Sequence, residues 1–344
     1  MKAIGICGTG GLDVLVSTNV PIPRPAPTDL LIRVQAISVN PVEAKIRAGK
    51  WAGGTLPSGS ILGFDAAGIV DSIGSEVPPG LFQVGDGVWL LGSTLPSHSN
   101  AEYMVSDYRV VSRKPKSLTF EDAAAFPLVG LTAWELLVDQ MKVGEVPGAV
   151  LIINGAGGVG SVATQIARHV LGVSTVIATA SRTASINHTK KLGATHIISH
   201  REPLKPQIDA LSLGIPIQYI VILTTTTKTV LDEAIDIVAP WGKIGLAVQG
   251  PPGCYEGLGA GQKKGISIHW GFVFTKMILQ WKVETQGQIL SKLADLVDKG
   301  AVQSITTQKL DLTLDGLRQA HALMESGQTI GKVVLRVPEQ DAFQ

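Results

Sequence analysis

Residues 149–170 read AVLIINGAGGVGSVATQIARHV. Ala149–Ile153 is a short, wholly apolar run, the pattern of a strand buried on both faces. Asn154 and Gly155 turn the chain, and Gly155, Gly157 and Gly160 stand in G-x-G-x-x-G spacing. A segment of helical period follows. Val159, Val162, Ala163, Ile166, Ala167 and Val170 share one face, with Gln165, Arg168 and His169 on the other. Strand, glycine turn and helix in this order predict a dinucleotide site. The first glycine permits the tight turn, the second lets a pyrophosphate approach the backbone, and the third lets helix pack on strand. The free N–H groups of the helix N-terminus then take the phosphates. Gly155, Gly157, Gly158, Val159 and Gly160 are the cofactor-binding residues expected on this loop. Glycine spacing alone fits a structural turn equally well; the flanking strand and helix favour the dinucleotide.

Outward from this stretch, apolar strands alternate with helical segments. The strands are Ser174–Ala180, His196–Ser199, Tyr219–Leu223, Lys243–Val248 and Ile266–Trp270. The helices are Gly157–Leu171, Thr183–Leu192 and Lys228–Val238. Such alternation predicts an α/β fold with a doubly wound parallel sheet. Residues before about Asp122 are instead β-rich, with strands at Leu30–Ile37, Ala66–Ile73, Gly87–Leu91 and Ala101–Val105 separated by Gly and Pro turns. Phe120–Met141 reads as a helix that Pro127 breaks or kinks. Thr275–Lys299 reads as one long helix, and Val302–Val337 as strand, helix, strand. The nucleotide domain is therefore expected at 123–275, inside a first domain made of 1–122 and 276–344.

The chain has 344 residues, 45% of them hydrophobic and 17% charged, values of a folded two-domain protein rather than a disordered one. A net charge of +1 gives no general attraction to nucleic acid or to an anionic membrane, so a small-molecule substrate is expected. Cys7 and Cys254 are the two cysteines, too few and too distant for a disulfide framework or a cysteine-rich metal site. The N-terminal residues MKAIGICGTGGLDVL lack the apolar core of a signal peptide, and no apolar stretch is long enough for a bilayer span. A reducing, cytoplasmic setting is the expectation.

The second strand of the alternating region ends VIATASRTAS. An NAD site places an Asp or Glu here, on the ribose 2′-OH. Ala180 and Ser181 stand in that place and Arg182 follows. A carboxylate would repel a 2′-phosphate, whereas a hydroxyl and a guanidinium hold one. NADPH is therefore expected over NADH. His200 and Arg201, at the end of the third strand, are close enough in such a sheet to help.

Several further stretches carry a resemblance. They are Val39-Asn40-Pro41-Val42-Glu43-Ala44-Lys45-Ile46-Arg47-Ala48-Gly49, Leu62-Gly63-Phe64-Asp65-Ala66-Ala67-Gly68, Val84-Gly85-Asp86-Gly87-Val88, Phe126-Pro127-Leu128-Val129-Gly130-Leu131-Thr132-Ala133 and Gly331-Lys332-Val333-Val334-Leu335. With the glycine loop, they make the chain resemble the medium-chain dehydrogenase/reductase superfamily from end to end. Within it the likeness is to the zinc-independent quinone oxidoreductases and enoyl reductases, often labelled zinc-type alcohol dehydrogenase-like. The resemblance implies a GroES-like β-barrel catalytic domain around a Rossmann NADP(H)-binding domain, with the active site in the cleft between them. It also implies homodimers in many members, through the edge strand, here Ile266–Trp270.

Zinc-binding members place a Cys where this chain has Asn40 and a His where it has Phe64. They also carry a four-cysteine lobe, absent from Leu90–Asn100. Zinc needs three or four converging N, S or O ligands, so neither a catalytic nor a structural zinc is expected. Without a Lewis acid, hydride transfer suits an acceptor that is already electrophilic: a quinone, or the β-carbon of an enone or enal. The developing oxyanion then needs only hydrogen-bond donors. By the resemblance, Asn40 stands at the lost ligand position, either as a donor facing the cleft or as a satisfied structural Asn before Pro41, and Lys45 matches a Lys of related enoyl reductases that meets the nicotinamide ribose or substrate carbonyl. Thr132 matches a Thr beside the nicotinamide, and Trp51 and Phe64 wall the substrate pocket. Some quinone reductases set an Arg after Ser326 to grip the 2′-phosphate, where this chain has Gly327; the phosphate would rest on Ser181 and Arg182. A metal-independent carbonyl reductase or alcohol dehydrogenase, a trans-acting polyketide enoyl reductase and a low-turnover nucleotide-binding protein remain alternative readings.

Overall fold

A computed structural model of the chain describes residues 1–51, 54–92 and 98–338. It divides into two compact units. One comprises Met1–Leu128, Phe274–Lys299 and Ser304–Gln344; the other comprises Val129–Val273 and Gly300–Gln303. Residues 300–303 thus belong with the nucleotide unit, although the sequence reading assigns them to the first domain. A reciprocal amide pair accounts for it: Gln165 Nε2 donates to Gln303 O at 3.2 Å, and Gln303 N–H donates to Gln165 Oε1 at 2.7 Å.

The second unit is built on a six-stranded sheet in which every adjacent pair is parallel. Across the sheet the strands run His196–Ile198, Val176–Thr179, Ala149–Ile153, Ile217–Ile222, Lys243–Leu246 and Ser267–Trp270. In chain order this is 3-2-1-4-5-6, the doubly wound Rossmann arrangement. Ala149–Ile153, Val176–Thr179 and Ile217–Ile222 are buried along their whole length, as a sheet covered on both faces requires. The outer strand Ser267–Trp270 is only partly covered, and Trp270 is exposed. The strand order reverses beside Ala149–Ile153, so the glycine turn lies at the switch point.

The first unit holds a seven-stranded, mainly antiparallel sheet. Asp29–Ser38 lies at its centre, pairing antiparallel with Asp65–Ile73, Tyr103–Asp107 and Lys332–Arg336. Thr306–Asp311 runs parallel to Lys332–Arg336, so the chain's last strands complete the sheet begun by its first. Lys2–Ile6 and Leu15–Asn19 form a separate two-stranded ribbon.

One helical reading needs correction and another, the break at Pro127, gains detail. Thr275–Lys299 is not one helix: Thr275–Ile278 and Glu284–Asp298 are separated by a break where Gln280 and Lys282 take left-handed φ of 48° and 49°. Ile278, Leu279 and Trp281 are exposed there while Val283 is buried, so the apolar pattern across the break does not lie on one helix face. Phe120–Met141 divides into Phe120–Ala124, Pro127–Trp134 and a wider π turn at Glu135–Gln140; Pro127 starts a helix here.

Candidate functional site

In the glycine turn, Asn154 takes a left-handed φ of 69° and is fixed at both ends. Its N–H donates to Thr179 Oγ1 at 2.8 Å, and its Nδ2 donates to Leu223 O at 3.1 Å. The turn is thereby tied to the strands on either side. A Cβ on Gly155 would lie 2.6 Å from Ala178 Cβ, and one on Gly160 would lie 2.3 Å from Asn154 O. Both positions need glycine for close packing. The three atoms nearest a Cβ on Gly157 would all belong to the Asn154 side chain, at 3.1 to 3.6 Å, and none of them is backbone. The helix Gly158–Gln165 starts here, and its first turn bond runs from Ser161 N–H to Gly157 O at 2.8 Å. The N–H groups of Gly158, Val159 and Gly160 precede that bond and are the orphan donors of the helix start. This cradle fits a dinucleotide pyrophosphate.

Ser181, Arg182 and His200 come together at the carboxyl end of the adjacent strands. Ala180 N–H donates to Ile198 O at 3.0 Å, which brings the two strand ends side by side. Ser181 Oγ lies 3.3 Å from His200 Nε2. Arg182 precedes the helix Thr183–Lys191, where its N–H donates to Ser185 Oγ at 3.1 Å. Burial, then Arg201, then Arg182 hold the His200 imidazole below its ordinary pKa. This hydroxyl, guanidinium and imidazole set suits a phosphate.

Within the first unit, Asn40 precedes the helix Pro41–Arg47 and lies at the heart of a buried polar cluster. Its N–H and its Nδ2 donate to Glu43 Oε1, at 3.3 and 3.1 Å; Nδ2 also donates to Asp65 Oδ2 at 2.9 Å. Its Oδ1 accepts from Lys332 Nζ at 2.6 Å, and that ammonium also reaches Val39 O at 3.0 Å and Asp65 Oδ2 at 3.4 Å. Asp65 further accepts from Ser38 Oγ at 2.7 Å and, through Oδ1, from Leu128 N–H at 2.7 Å. Burial raises Glu43 to about 8 and lowers Lys332. With Glu43 protonated, the Lys332 ammonium and the Asp65 carboxylate leave the cluster neutral, the arrangement burial favours. The Asn40 amide is thus committed at every atom, which matches the structural Asn of its two readings rather than the open oxyanion donor.

Phe64, at 1% exposure, packs against Phe274 with ring centroids 4.8 Å apart, and Trp51 meets Phe274 at 6.1 Å. The two aromatic residues singled out in the sequence therefore share one cluster, joined by a third that was not. Lys45 is exposed on the helix Pro41–Arg47. Thr132 is buried in the helix Pro127–Trp134, in the other unit. Glu43, Asp65, Lys332 and Phe274 escaped the sequence reading. Asp65 and Lys332 carried one signal, a charge set within an otherwise apolar strand run.

Zinc does not fit this site. Where a metal would need lone pairs, Asn40 Oδ1 already accepts from an ammonium, and Phe64 offers no donor. Among the described residues, no group of three or more His, Cys, Asp or Glu is placed to hold a metal ion. No helix among them is long and apolar enough to cross a membrane.

Residues 26–148 match the family described as alcohol dehydrogenase GroES-like domain, and residues 192–335 the family described as zinc-binding dehydrogenase. The chain is 35% identical over 350 residues to a zinc-type alcohol dehydrogenase-like protein of Staphylococcus epidermidis, covering 98% of this chain and 100% of that one. It is 31% identical over 346 residues to the chloroplastic NADPH-dependent alkenal/one oxidoreductase of Arabidopsis thaliana, covering 97% and 79%. Among solved structures it is similar to the quinone oxidoreductase from Coxiella burnetii, with a TM-score of 0.79, 28% identity and coverage of 98% and 99%.

Proposed function

The chain belongs to the medium-chain dehydrogenase/reductase superfamily, in its quinone and enoyl reductase branch, and from that premise we propose that it reduces quinones or the activated C=C bonds of α,β-unsaturated carbonyls with NADPH, without a metal. The observation that carries this reading is the Lys332 ammonium on Asn40 Oδ1, at the position where zinc-binding relatives place a ligand. A site holding that cation has no Lewis acid to polarise an alcohol oxygen, so the acceptor must bring its own electrophilicity. The names of the Arabidopsis and Coxiella relatives support the same substrate classes.

NADPH, when bound, supplies the hydride. The chain's residues bind and orient. The N–H groups of Gly158, Val159 and Gly160 take the pyrophosphate, with Gly155 and Gly157 shaping the turn. Ser181, Arg182 and His200 take the 2′-phosphate. Thr132 lies beside the nicotinamide. Lys45, exposed on its helix, donates to the substrate oxygen as negative charge develops. Trp51 and Phe64, through Phe274, form an apolar wall suited to a flat conjugated acceptor. Asn40 acts on this site indirectly, by holding the Lys332–Asp65 pair. The open strand Ser267–Trp270 supports a homodimer formed by strand pairing across two copies.

NADPH oxidation with a quinone, an enone, a saturated aldehyde and, in reverse, a simple alcohol with NADP⁺ tests the reaction class. Turnover is expected with the first two. A simple alcohol as best substrate by a wide margin, or a stoichiometric zinc in protein purified without added metal, overturns the reading.

A further inference from the structure

In NADPH the 2′-phosphate and the pyrophosphate hang from one ribose. A protein that grips both is a bivalent site, and the second grip adds affinity when the spacing is right. The sheet fixes the strand ends near the glycine turn: Gly155 N–H donates to Thr179 O at 3.2 Å, and Asn154 N–H donates to Thr179 Oγ1 at 2.8 Å. Arg182 lies beyond that strand, and its backbone is held by the helix that follows. Ser185 Oγ accepts from Arg182 N–H at 3.1 Å and donates to Arg182 O at 2.8 Å. Arg182 is therefore carried by the helix Thr183–Lys191. On this helix Ser185, His188 and Thr189 share a face, three and four residues apart. Ser185 and Thr189 are buried, and Thr189 Oγ1 donates to Ser185 O at 2.7 Å. The Thr189 methyl packs at the turn, where a Cβ on Gly155 would lie 3.3 Å from Thr189 Cγ2. His188 Nε2 lies 2.8 Å from the hydroxyl of Ser161, which is fully buried. Ser161 N–H in turn makes the first bond of the helix Gly158–Gln165, to Gly157 O. A hydrogen bond thus crosses from the helix that carries Arg182 to the first turn of the helix that carries the pyrophosphate donors.

We propose that His188 is a positioning residue for cofactor choice: through Ser161 it sets the spacing between the pyrophosphate cradle and the 2′-phosphate set. The inference rests on the NADPH reading above. The link holds with Nε2 accepting the Ser161 hydroxyl hydrogen or with Nε2–H donating to Oγ. Without the imidazole, the Ser161 hydroxyl is left to Ala156 O at 3.5 Å, a long contact. The two helices can then drift apart while each keeps its own phosphate group. A ligand with one phosphate follows whichever helix binds it and loses little. A ligand with both phosphates on one ribose cannot follow both helices, so it loses the gain that the second grip supplies. His188 thereby acts on the preference for NADPH over NADH and leaves the strength of either phosphate contact alone.

The test uses fragments of the cofactor. Binding of adenosine 2′,5′-bisphosphate, adenosine 5′-monophosphate, adenosine 2′-monophosphate, NADPH and NADH is measured on the full chain and on His188→Leu, Ser161→Ala and the double variant. Each single change should lower affinity for NADPH and for the bisphosphate about three- to tenfold. Both monophosphates and NADH should stay within about twofold of wild type. The double variant should lose no more than either single one, because both remove the same bond. His188→Gln places an amide where Nε2 stood and should recover most of the loss. Melting temperatures confirm folding, and Ser161→Ala carries the test if His188→Leu does not fold. Equal losses for the bisphosphate and the monophosphates would make the bond a general brace of the fold and overturn the inference. So would an unchanged bisphosphate, or losses that add in the double variant. Wild-type protein that binds the bisphosphate no better than adenosine 5′-monophosphate, and NADPH no better than NADH, would instead overturn the NADPH reading on which the inference stands.

Discussion

The glycine turn and the Asn40 cluster occupy different units and handle charge in opposite ways. The turn presents backbone: the N–H groups of Gly158, Val159 and Gly160 stand ahead of the first helical bond, held open for an anion from outside. The Asn40 cluster presents nothing. Its ammonium, carboxylate and amide consume one another, out of water. One region derives its role from groups left unpaired, the other from groups that, Glu43 Oε2 apart, are paired with one another. Substitutions should therefore act differently: binding should fail first in the turn, and stability first in the cluster.

The largest expected effect is in the cluster. Lys332→Met removes the cation and leaves Asp65 buried among neutral donors. Breaking a buried pair from one side costs about 3–5 kcal/mol, and denaturant unfolding should register a loss of that size. Asp65→Asn added to Lys332→Met should cost less than the sum of the two single changes, since it removes the stranded charge. Strict additivity would mean that the two groups do not depend on each other, and the comparison would break.

Next comes the turn. A Cβ on Gly160 would sit 2.3 Å from the Asn154 carbonyl oxygen, a backbone atom that cannot swing aside. Gly160→Ala should cost about 1–3 kcal/mol through overpacking and displace the cradle. Cofactor affinity, read by nucleotide fluorescence, should fall for NADPH and NADH alike, because both share the pyrophosphate. A loss confined to one cofactor is expected from Arg182→Ala. Losing one charge-assisted contact costs about 1.5–3 kcal/mol, or roughly ten- to hundredfold in NADPH affinity, with NADH little changed. Equal losses for both cofactors would remove Arg182 from the phosphate site.

The same contrast explains what could be read from the sequence. The turn is local: strand, glycines and helix are contiguous, and each glycine has a steric reason visible in its spacing. The central strands were legible because burial on both faces demands unbroken apolar runs, as in Ala149–Ile153. The cluster is assembled from Ser38, Asn40, Glu43, Asp65 and Lys332, and the contact of Lys332 with Asn40 spans 292 positions. No periodicity announces such a meeting. The helix Leu204–Ala210 was missed for a local reason: it is short and contains Pro206, which the first helical turn tolerates. The break at Gln280 and Lys282 was missed because neither residue type signals a left-handed backbone.

The last expected effect concerns Glu43 and appears only with pH. Its carboxyl is raised from 4.5 to about 8, mainly by burial, against the opposing pull of Asn40 and Lys332. A folded-state pKa above the unfolded one means that the folded chain binds the extra proton. The neutral carboxyl therefore contributes its full share of stability below about 4.5, and that share is lost as pH rises through about 8. Lys332 is lowered, which acts in the opposite sense, and the two should not be read from one curve. Glu43→Gln separates them. The amide mimics the protonated acid, keeps an oxygen for the Asn40 donors, and cannot ionise. Its unfolding free energy should match wild type near pH 5 and exceed it near pH 9, with the difference opening between those values. A difference that instead grows toward acid would mean that Glu43 is buried as a carboxylate, and the cluster would then carry one more negative charge than its neutral pairing allows.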